Sequence, residues 1–200
     1  MNSLRHHYVP SPVGQLLLIA DDTDRLCGLY LPDHRHGPGN PPGRHQTGGV
    51  TDLAATQLDE YFRGDRQVFD LPLAMAGSPF QERVWEALLT IPYGSTTSYG
   101  QIAADLGLPP ASSRAVGAAN GRNPVSIVVP CHRVIGASGS LVGYGGGLPA
   151  KRYLLDSDSA LCDVASMLGY SEQTSFCRAF RRWTGTTPHA FRASRELTAS

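Results

Sequence analysis

The sequence predicts an α+β protein in three parts: a small α/β domain over residues 1–77, a mostly helical domain over 78–158, and a helical extension over 159–200. Three observations carry this. Two apolar runs separated by Asp21-Asp22-Thr23-Asp24 read as paired strands. From Ser78 onward, capping signatures open one short helix after another. The last segment places Phe176, Phe180 and Trp183 at helical spacing.

In the first part, residues 13–20 (VGQLLLIA) and 26–31 (LCGLYL) are the expected strands. Residues 32–49 are rich in Pro, Gly and His and read as a mobile loop, with His34, His36 and His45 solvated. Residues 51–62 predict a helix with Leu53, Ala54, Leu58, Tyr61 and Phe62 on one face and Gly64 beyond its end. Residues 68–73 read as a returning strand.

In the second part, Ser78-Pro79-Phe80-Gln81 is a capping box with proline at the first helical position. The helix it opens should bury Phe80, Val84 and Leu88, with Trp85 beside them, and stop before Pro92. Ser98-Tyr99-Gly100-Gln101 is a second capping box, opening a short helix that ends at Gly107. After a Pro-Pro turn, Ser112 or Ser113 caps a third helix over residues 114–120. Two short helices across a tight turn suggest a helix-turn-helix. The second of them, RAVGAA, has almost no long side chains, which suits close approach to a narrow groove or tight packing in a core.

Composition bounds the function. Hydrophobic residues make up 41% and charged residues 17%, as in ordinary globular proteins. No apolar run approaches a membrane span, and residues 1–7 have no apolar signal core, so a cytosolic, cytoplasmic protein is expected. Cys27, Cys131, Cys162 and Cys177 have no paired spacing, so reduced thiols are expected and no metal site. Net charge is zero, running from −3 over residues 1–77 through +1 to +2 over the last segment. That is too weak a basic bias to argue nucleic-acid binding by itself.

The chemistry centres on Pro130-Cys131-His132-Arg133-Val134, behind the apolar run 125–129. A buried strand delivering thiol and imidazole together is a layout for an activated thiolate, whose pKa a neighbouring imidazole lowers. A structural cysteine is the plain alternative. Downstream, residues 139–147 (GSLVGYGGG) form a glycine-rich loop able to approach a ligand with its backbone.

Tyr99, Arg114-Ala-Val-Gly, Asn123-Pro-Val, the Pro-Cys-His-Arg-Val motif, Tyr144 and Lys151 follow one another as they do in the O6-alkylguanine-DNA alkyltransferases. The chain resembles that family from about residue 9 to 158. The resemblance implies single-turnover repair, in which Cys131 takes the alkyl group from O6-alkylguanine, or from O4-alkylthymine, in a flipped-out nucleotide. His132 would accept the thiol proton through a water. Asp158, where the family usually has glutamate, would orient His132 through a longer or water-mediated contact. Tyr99 would protonate the leaving guanine at N3. Arg114 would fill the gap in the base stack, with Ala115 and Arg133 also among the DNA- and substrate-contacting residues. Asn123 would brace the helix-turn-helix against the active site. Val134, Tyr144 and Gly145 would line the base pocket, and glycine at 145, where serine or alanine is common, would leave room for groups bulkier than methyl. The implied partner is alkylated double-stranded DNA approached from the minor groove, with no cofactor and no membrane.

Members of that family end soon after position 158. Here residues 163–192 resemble the second helix-turn-helix of AraC-type regulators, with a first helix over 163–168, a Gly169-Tyr170 turn and a Ser171-capped recognition helix. Phe176, Phe180 and Trp183 should be buried, and Arg178, Arg181 and Arg182 should face phosphate. Residues 157–160 read as a hinge. The segment 160–195 offers a second DNA contact or a self-association surface. A transcriptional regulator triggered by Cys131 alkylation is therefore the alternative function; a cysteine hydrolase and a non-catalytic lesion sensor fit fewer of the motifs.

Overall fold

The computed structural model describes residues 4–171, 173–188 and 191; side chains of residues 159–164, 166 and 173 lie outside that description. Cys162 and the tail beyond Phe191 therefore lie outside the described part, as do residues 1–3.

The first unit is a sheet of order β3-β2-β1-β4 covered by one helix. Its strands are β1 (Arg5–Val9), β2 (Leu16–Ala20), β3 (Leu26–Tyr30) and β4 (Arg44–His45); its helix is α1 (Val50–Phe62). β2 is buried along its whole length, because it lies between β1 and β3 and packs under α1. This is why residues 16–20 read as a continuous apolar run rather than an alternating one. Two strands escaped the sequence. β1 carries Arg5, His6 and His7, a polar reading that antiparallel pairing with β2 overrides. β4 lies in the segment expected to be a loop and pairs parallel to β1.

Residues 68–73 do not form a strand. They contribute a single bridge, Leu26 to Leu73, with Leu26 N–H donating to Pro72 O at 2.8 Å. Further along β3, Leu29 N–H donates to Pro124 O at 2.8 Å, and Ser126 N–H donates to Leu29 O at 2.9 Å. The free edge of β3 is thus filled by two irregular segments, one of them leading to the cysteine. Hydrogen bonding on that edge joins the two units, and one apolar core runs from Leu16 through Trp85 to Leu154.

The second unit holds α2 (Pro79–Leu89), β5 (Thr97–Ser98), α3 (Tyr99–Asp105), α4 (Ser113–Gly121) and β6 (Val134–Ile135). The Ser78 capping box is complete in both directions. α2 buries Val84, Trp85 and Leu88, while Phe80 is half-buried. The second box is only half formed: Ser98 Oγ accepts from Gln101 N–H at 3.1 Å, but the Gln101 amide turns to Asp105 at 2.8 Å. No serine side chain caps α4, because a 3₁₀ turn over Pro110–Ser112 runs directly into it. α3 and α4 pack on each other and on α2.

α5 (Leu148–Met167) departs most from expectation. It passes unbroken through residues 157–160, where a hinge was expected. No Gly or Pro lies between Pro149 and Gly169 to interrupt it, and Ser157 and Asp158 are buried. The first helix of the tail motif is therefore the end of the last alkyltransferase-like helix. Gly169 ends α5 at φ 77°, with Tyr170 N–H reaching back to Ala165 O at 2.9 Å. α6 (Gln173–Thr184) packs Phe176 and Cys177 against Ala165, with Phe180 beside them. Trp183 is not buried; it is 68% exposed, because the apolar cluster ends at Phe180. Among the described residues no helix is long and apolar enough to cross a membrane.

Candidate active site

The segment ahead of Cys131 is not a strand. Val125 to Val129 is a tight, buried turn in which Ile127 takes φ 71°, a conformation costly for a β-branched residue. Such strain persists only where the surroundings over-determine it. Here the clamp is Asn123. Its Nδ2 donates to Val129 O at 2.8 Å, and its Oδ1 accepts from Val125 N–H at 3.0 Å. The same Nδ2 lies 3.0 Å from Cys131 Sγ. Asn120 at the end of α4 adds a bond to Cys131 O at 3.3 Å. Helix α4 and Cys131 are therefore fixed by two asparagines.

Cys131 opens a 3₁₀ turn, Cys131–Arg133, and is 3% exposed. Burial raises its thiol pKa; the Asn123 hydrogen bond and the charge of Lys151 offset this only in part. Burial thus opposes the lowering of the thiol pKa that the neighbouring imidazole was expected to bring. The resting group is a thiol and needs a base during reaction.

A candidate base lies next to Cys131 in the chain. His132 is fully buried, with Nε2 3.2 Å from Asp158 Oδ2. Burial lowers its pKa, against the opposing pull of Asp158, so the ring is neutral. With Nε2–H directed at the carboxylate, Nδ1 carries the lone pair; it is buried and meets no protein partner among the described residues. The contact to Asp158 is direct, contrary to the expected longer or bridged one. Tyr61 OH donates to Asp158 Oδ1 at 2.7 Å and Arg133 Nε donates to Oδ2 at 2.9 Å. Burial opposes the Asp158 carboxylate, but His132, Arg133 and Tyr61 outweigh it and hold its pKa below the ordinary value.

Arg133 is the clearest correction among the expected DNA contacts. It is 6% exposed, spends its guanidinium on Asp158 and on Ile91 O, and stacks over Tyr93 at 5.3 Å. A buried cation paired with a buried carboxylate stays inside.

Parallel pairing of Thr97 with Val134 brings Tyr99 to the cysteine region. Tyr99 OH donates to Val142 O at 3.1 Å, and burial, then proximity to Cys131, pushes its pKa to about 12. Tyr144 has its hydroxyl buried near the thiol, and burial holds its pKa well above the ordinary value. Arg114 and Ala115 are exposed on α4. Tyr99, Arg114, Gly117, Ala118, Tyr144 and Gly145 line an open cleft of about 680 Å³, and two of them, Tyr99 and Tyr144, also lie close to the buried thiol. Val134 is buried, its carbonyl taken by Lys151 Nζ at 2.6 Å.

Lys151, the only lysine in the chain, is fully buried. It also donates to Val142 O at 2.9 Å and Gly143 O at 3.3 Å, so one ammonium ties the glycine-rich loop to the cysteine turn. Burial draws its pKa down to about 8. Its solitary place in the sequence was a signal available from the start. Tyr61 gave none beyond an apolar helix face.

Gly145 leaves no empty space. A Cβ there would lie 2.0 Å from His34 Nε2, so the imidazole fills the place that a side chain would take. His34 is thus not a solvated loop residue; it packs edge-on to Tyr30 at 5.3 Å, and burial lowers its pKa to about 4. In the tail, Arg181 turns to Asp65 at 3.2 Å rather than outward, while Arg178 and Arg182 are exposed.

Comparison with known proteins agrees with this layout. Residues 4–75 match the ribonuclease-like domain of 6-O-methylguanine DNA methyltransferase and residues 79–160 its DNA binding domain; residues 148–194 match a helix-turn-helix domain. The methylated-DNA–protein-cysteine methyltransferase of Mycobacterium leprae is 51% identical over 146 residues, covering 73% of this chain and 87% of that protein. The protein of the same name from Salmonella typhimurium is 42% identical over 174 residues, covering 80% and 99%. The crystal structure of Mycobacterium tuberculosis OGT in complex with DNA superposes with a TM-score of 0.71 at 46% identity, over 78% of this chain and 93% of that one. With both its domains matched in order and close relatives covered nearly end to end, the chain belongs to the 6-O-methylguanine DNA methyltransferase family.

Proposed function

We infer that this chain repairs DNA by a single irreversible transfer of an alkyl group from O6-alkylguanine, or O4-alkylthymine, to Cys131. The observation that carries the reading is the buried Asp158–His132 pair beside a buried thiol, with Tyr99 and Tyr144 linking that thiol to an open cleft. A thiol so deep reaches a base only if the base leaves the duplex stack. The exposed face of α4, with Arg114 and the small residues Ala115 and Ala118, suits insertion from the minor groove. Arg114 fills the gap that the flipped nucleotide leaves.

In the cleft, Cys131 Sγ attacks the alkyl carbon in line as the carbon–O6 bond breaks. Neutral His132 takes the thiol proton at Nδ1 through a water, and Asp158 stabilises the imidazolium formed. Tyr99 releases its bond to Val142 O and gives its proton to guanine N3. Asn123 steadies the sulfur. Tyr144 and Gly145 form the pocket wall. The product is a thioether, which none of these groups hydrolyses, so the protein acts once. The units 1–77, 78–158 and 159–200 act as a buttress, a catalytic DNA-binding domain and an added helix-turn-helix, in a cytoplasmic protein. Arg178, Arg182 and Trp183 of α6 line an open groove that supports a second contact with DNA, in preference to self-association. The regulator reading has no comparable support.

The test is intact mass and peptide mapping after mixing the protein with an equimolar O6-methylguanine duplex. A gain of about 14 Da on Cys131, absent from Cys131→Ala, is the expected covalent product. An unmodified protein would refute the reading.

A further inference from the structure

The proposed chemistry leaves unused the turn His34-Arg35-His36, which the first unit pushes into the cleft of the second. The cleft wall contains Arg35, Arg114 and Arg122 and no Asp or Glu. Arg35 belongs to the acidic unit of the chain, yet the acid next to it, Asp33, faces other cavities. The Arg35 side chain is exposed and forms no ion pair among the described residues. Its backbone is fixed. Arg35 N–H donates to Gly145 O at 2.9 Å, His36 N–H to His34 Nδ1 at 3.3 Å and Gly37 N–H to His34 O at 2.8 Å. The His34 ring, seated against Gly145, wedges the turn in place. A free guanidinium on a pinned backbone, in a cleft wall that holds two other arginines, is a preorganised anion contact.

We propose that Arg35 binds a backbone phosphate of the duplex carrying the target base, from the cleft wall it shares with Arg114. This rests on the alkylated-DNA reading above. The first unit then takes part in DNA binding, and the duplex bridges both units. Arg35 adds no base readout; it adds affinity and register.

The test is the salt dependence of duplex binding by the full chain, in a Cys131→Ala background so that binding is reversible. Fluorescence anisotropy with an O6-methylguanine duplex is read between about 50 and 200 mM salt. Arg35→Ala should weaken binding by roughly 3- to 10-fold and lower the slope of log affinity against log salt by about 0.9, the value of one phosphate contact. Arg35→Lys should keep most of the slope. Because the turn is held by backbone bonds, Arg35→Ala leaves the Gly145 contact intact, and circular dichroism checks the fold. A full slope in Arg35→Ala, with a reduced one in Arg114→Ala, overturns the proposal. A parent protein with no affinity for duplex would remove the DNA reading itself, and this proposal with it.

Discussion

Asp158→Asn isolates what the buried acid contributes. The substitution keeps the shape and removes the charge. In the native site the carboxylate accepts from His132 at 3.2 Å, Arg133 at 2.9 Å and Tyr61 at 2.7 Å, and it is 1% exposed. Loss of one partner of a buried ion pair costs about 3–5 kcal/mol. Asn still offers one acceptor oxygen, so the lower end, about 3 kcal/mol, is expected. At 2–4 °C per kcal/mol for a chain of this size, Tm should fall by roughly 6–12 °C. The effect on chemistry is separate. The Asn amide can donate to Nε2, which moves the ring proton to Nδ1 and blocks the atom that should accept the thiol proton. Wrong-tautomer effects of this kind lower rates by about 10²–10⁴-fold. The assay is single-turnover transfer from a methylated duplex, quenched over time and read by mass, at a temperature where circular dichroism shows the variant folded. A folded Asp158→Asn that transfers methyl within about threefold of the parent rate would refute the assignment of His132 as oriented base.

Four further outcomes follow from the site. The transfer rate should be nearly flat between pH 6.5 and 7.5, because the lowered pKa keeps His132 neutral and the raised pKa keeps the thiol protonated across that range; a tenfold rise per pH unit would instead mark a thiol that must ionise to solvent before it attacks, without His132 as base. With the folded His132 pKa lowered, the unfolded chain binds the extra proton first, so stability should fall as pH drops through 6.5, and urea unfolding at pH 7.5 and 5.5 checks the sign. Gly145→Ala should slow transfer and lower Tm by displacing His34, and His34→Gly in the same chain should restore part of both; independent, additive losses would show that the 2.0 Å approach has no consequence. Lys151→Met should loosen the loop whose carbonyls at 142 and 143 it holds and leave the buried Val134 carbonyl unpaired, with a loss of about 1–3 kcal/mol, read by thermal melting and by faster proteolysis near Gly143.

Much of this molecule was legible in the sequence where the signal is local. The Ser78 capping box, the apolar runs of β2 and β3, and helix α1 depend on neighbours within a few residues, and they formed as expected. The groups proposed to react were legible because their types and order are specific. What failed was non-local. β1 reads as polar until it pairs with β2, and residues 125–129 read as a strand until Asn123 folds them into a turn. Ser157, Asp158 and Ser159, residue types common in turns, read as a hinge until Tyr61, Arg133 and His132 close on Asp158.

By itself the sequence determined which groups can react: a cysteine beside a histidine, a distant acid, a tyrosine at a helix start and an arginine on a small-residue helix. The tertiary structure alone decided their states. Burial made the Cys131 thiol a poor acid and His132 a neutral base. Contacts across 97 residues, from Tyr61 to Asp158, turned Arg133 inward and made Asp158 a direct partner of His132. The reason is physical. Residue types and helix or turn signals act through covalent neighbours, whereas protonation, reach and access depend on desolvation and on partners that only folding brings together.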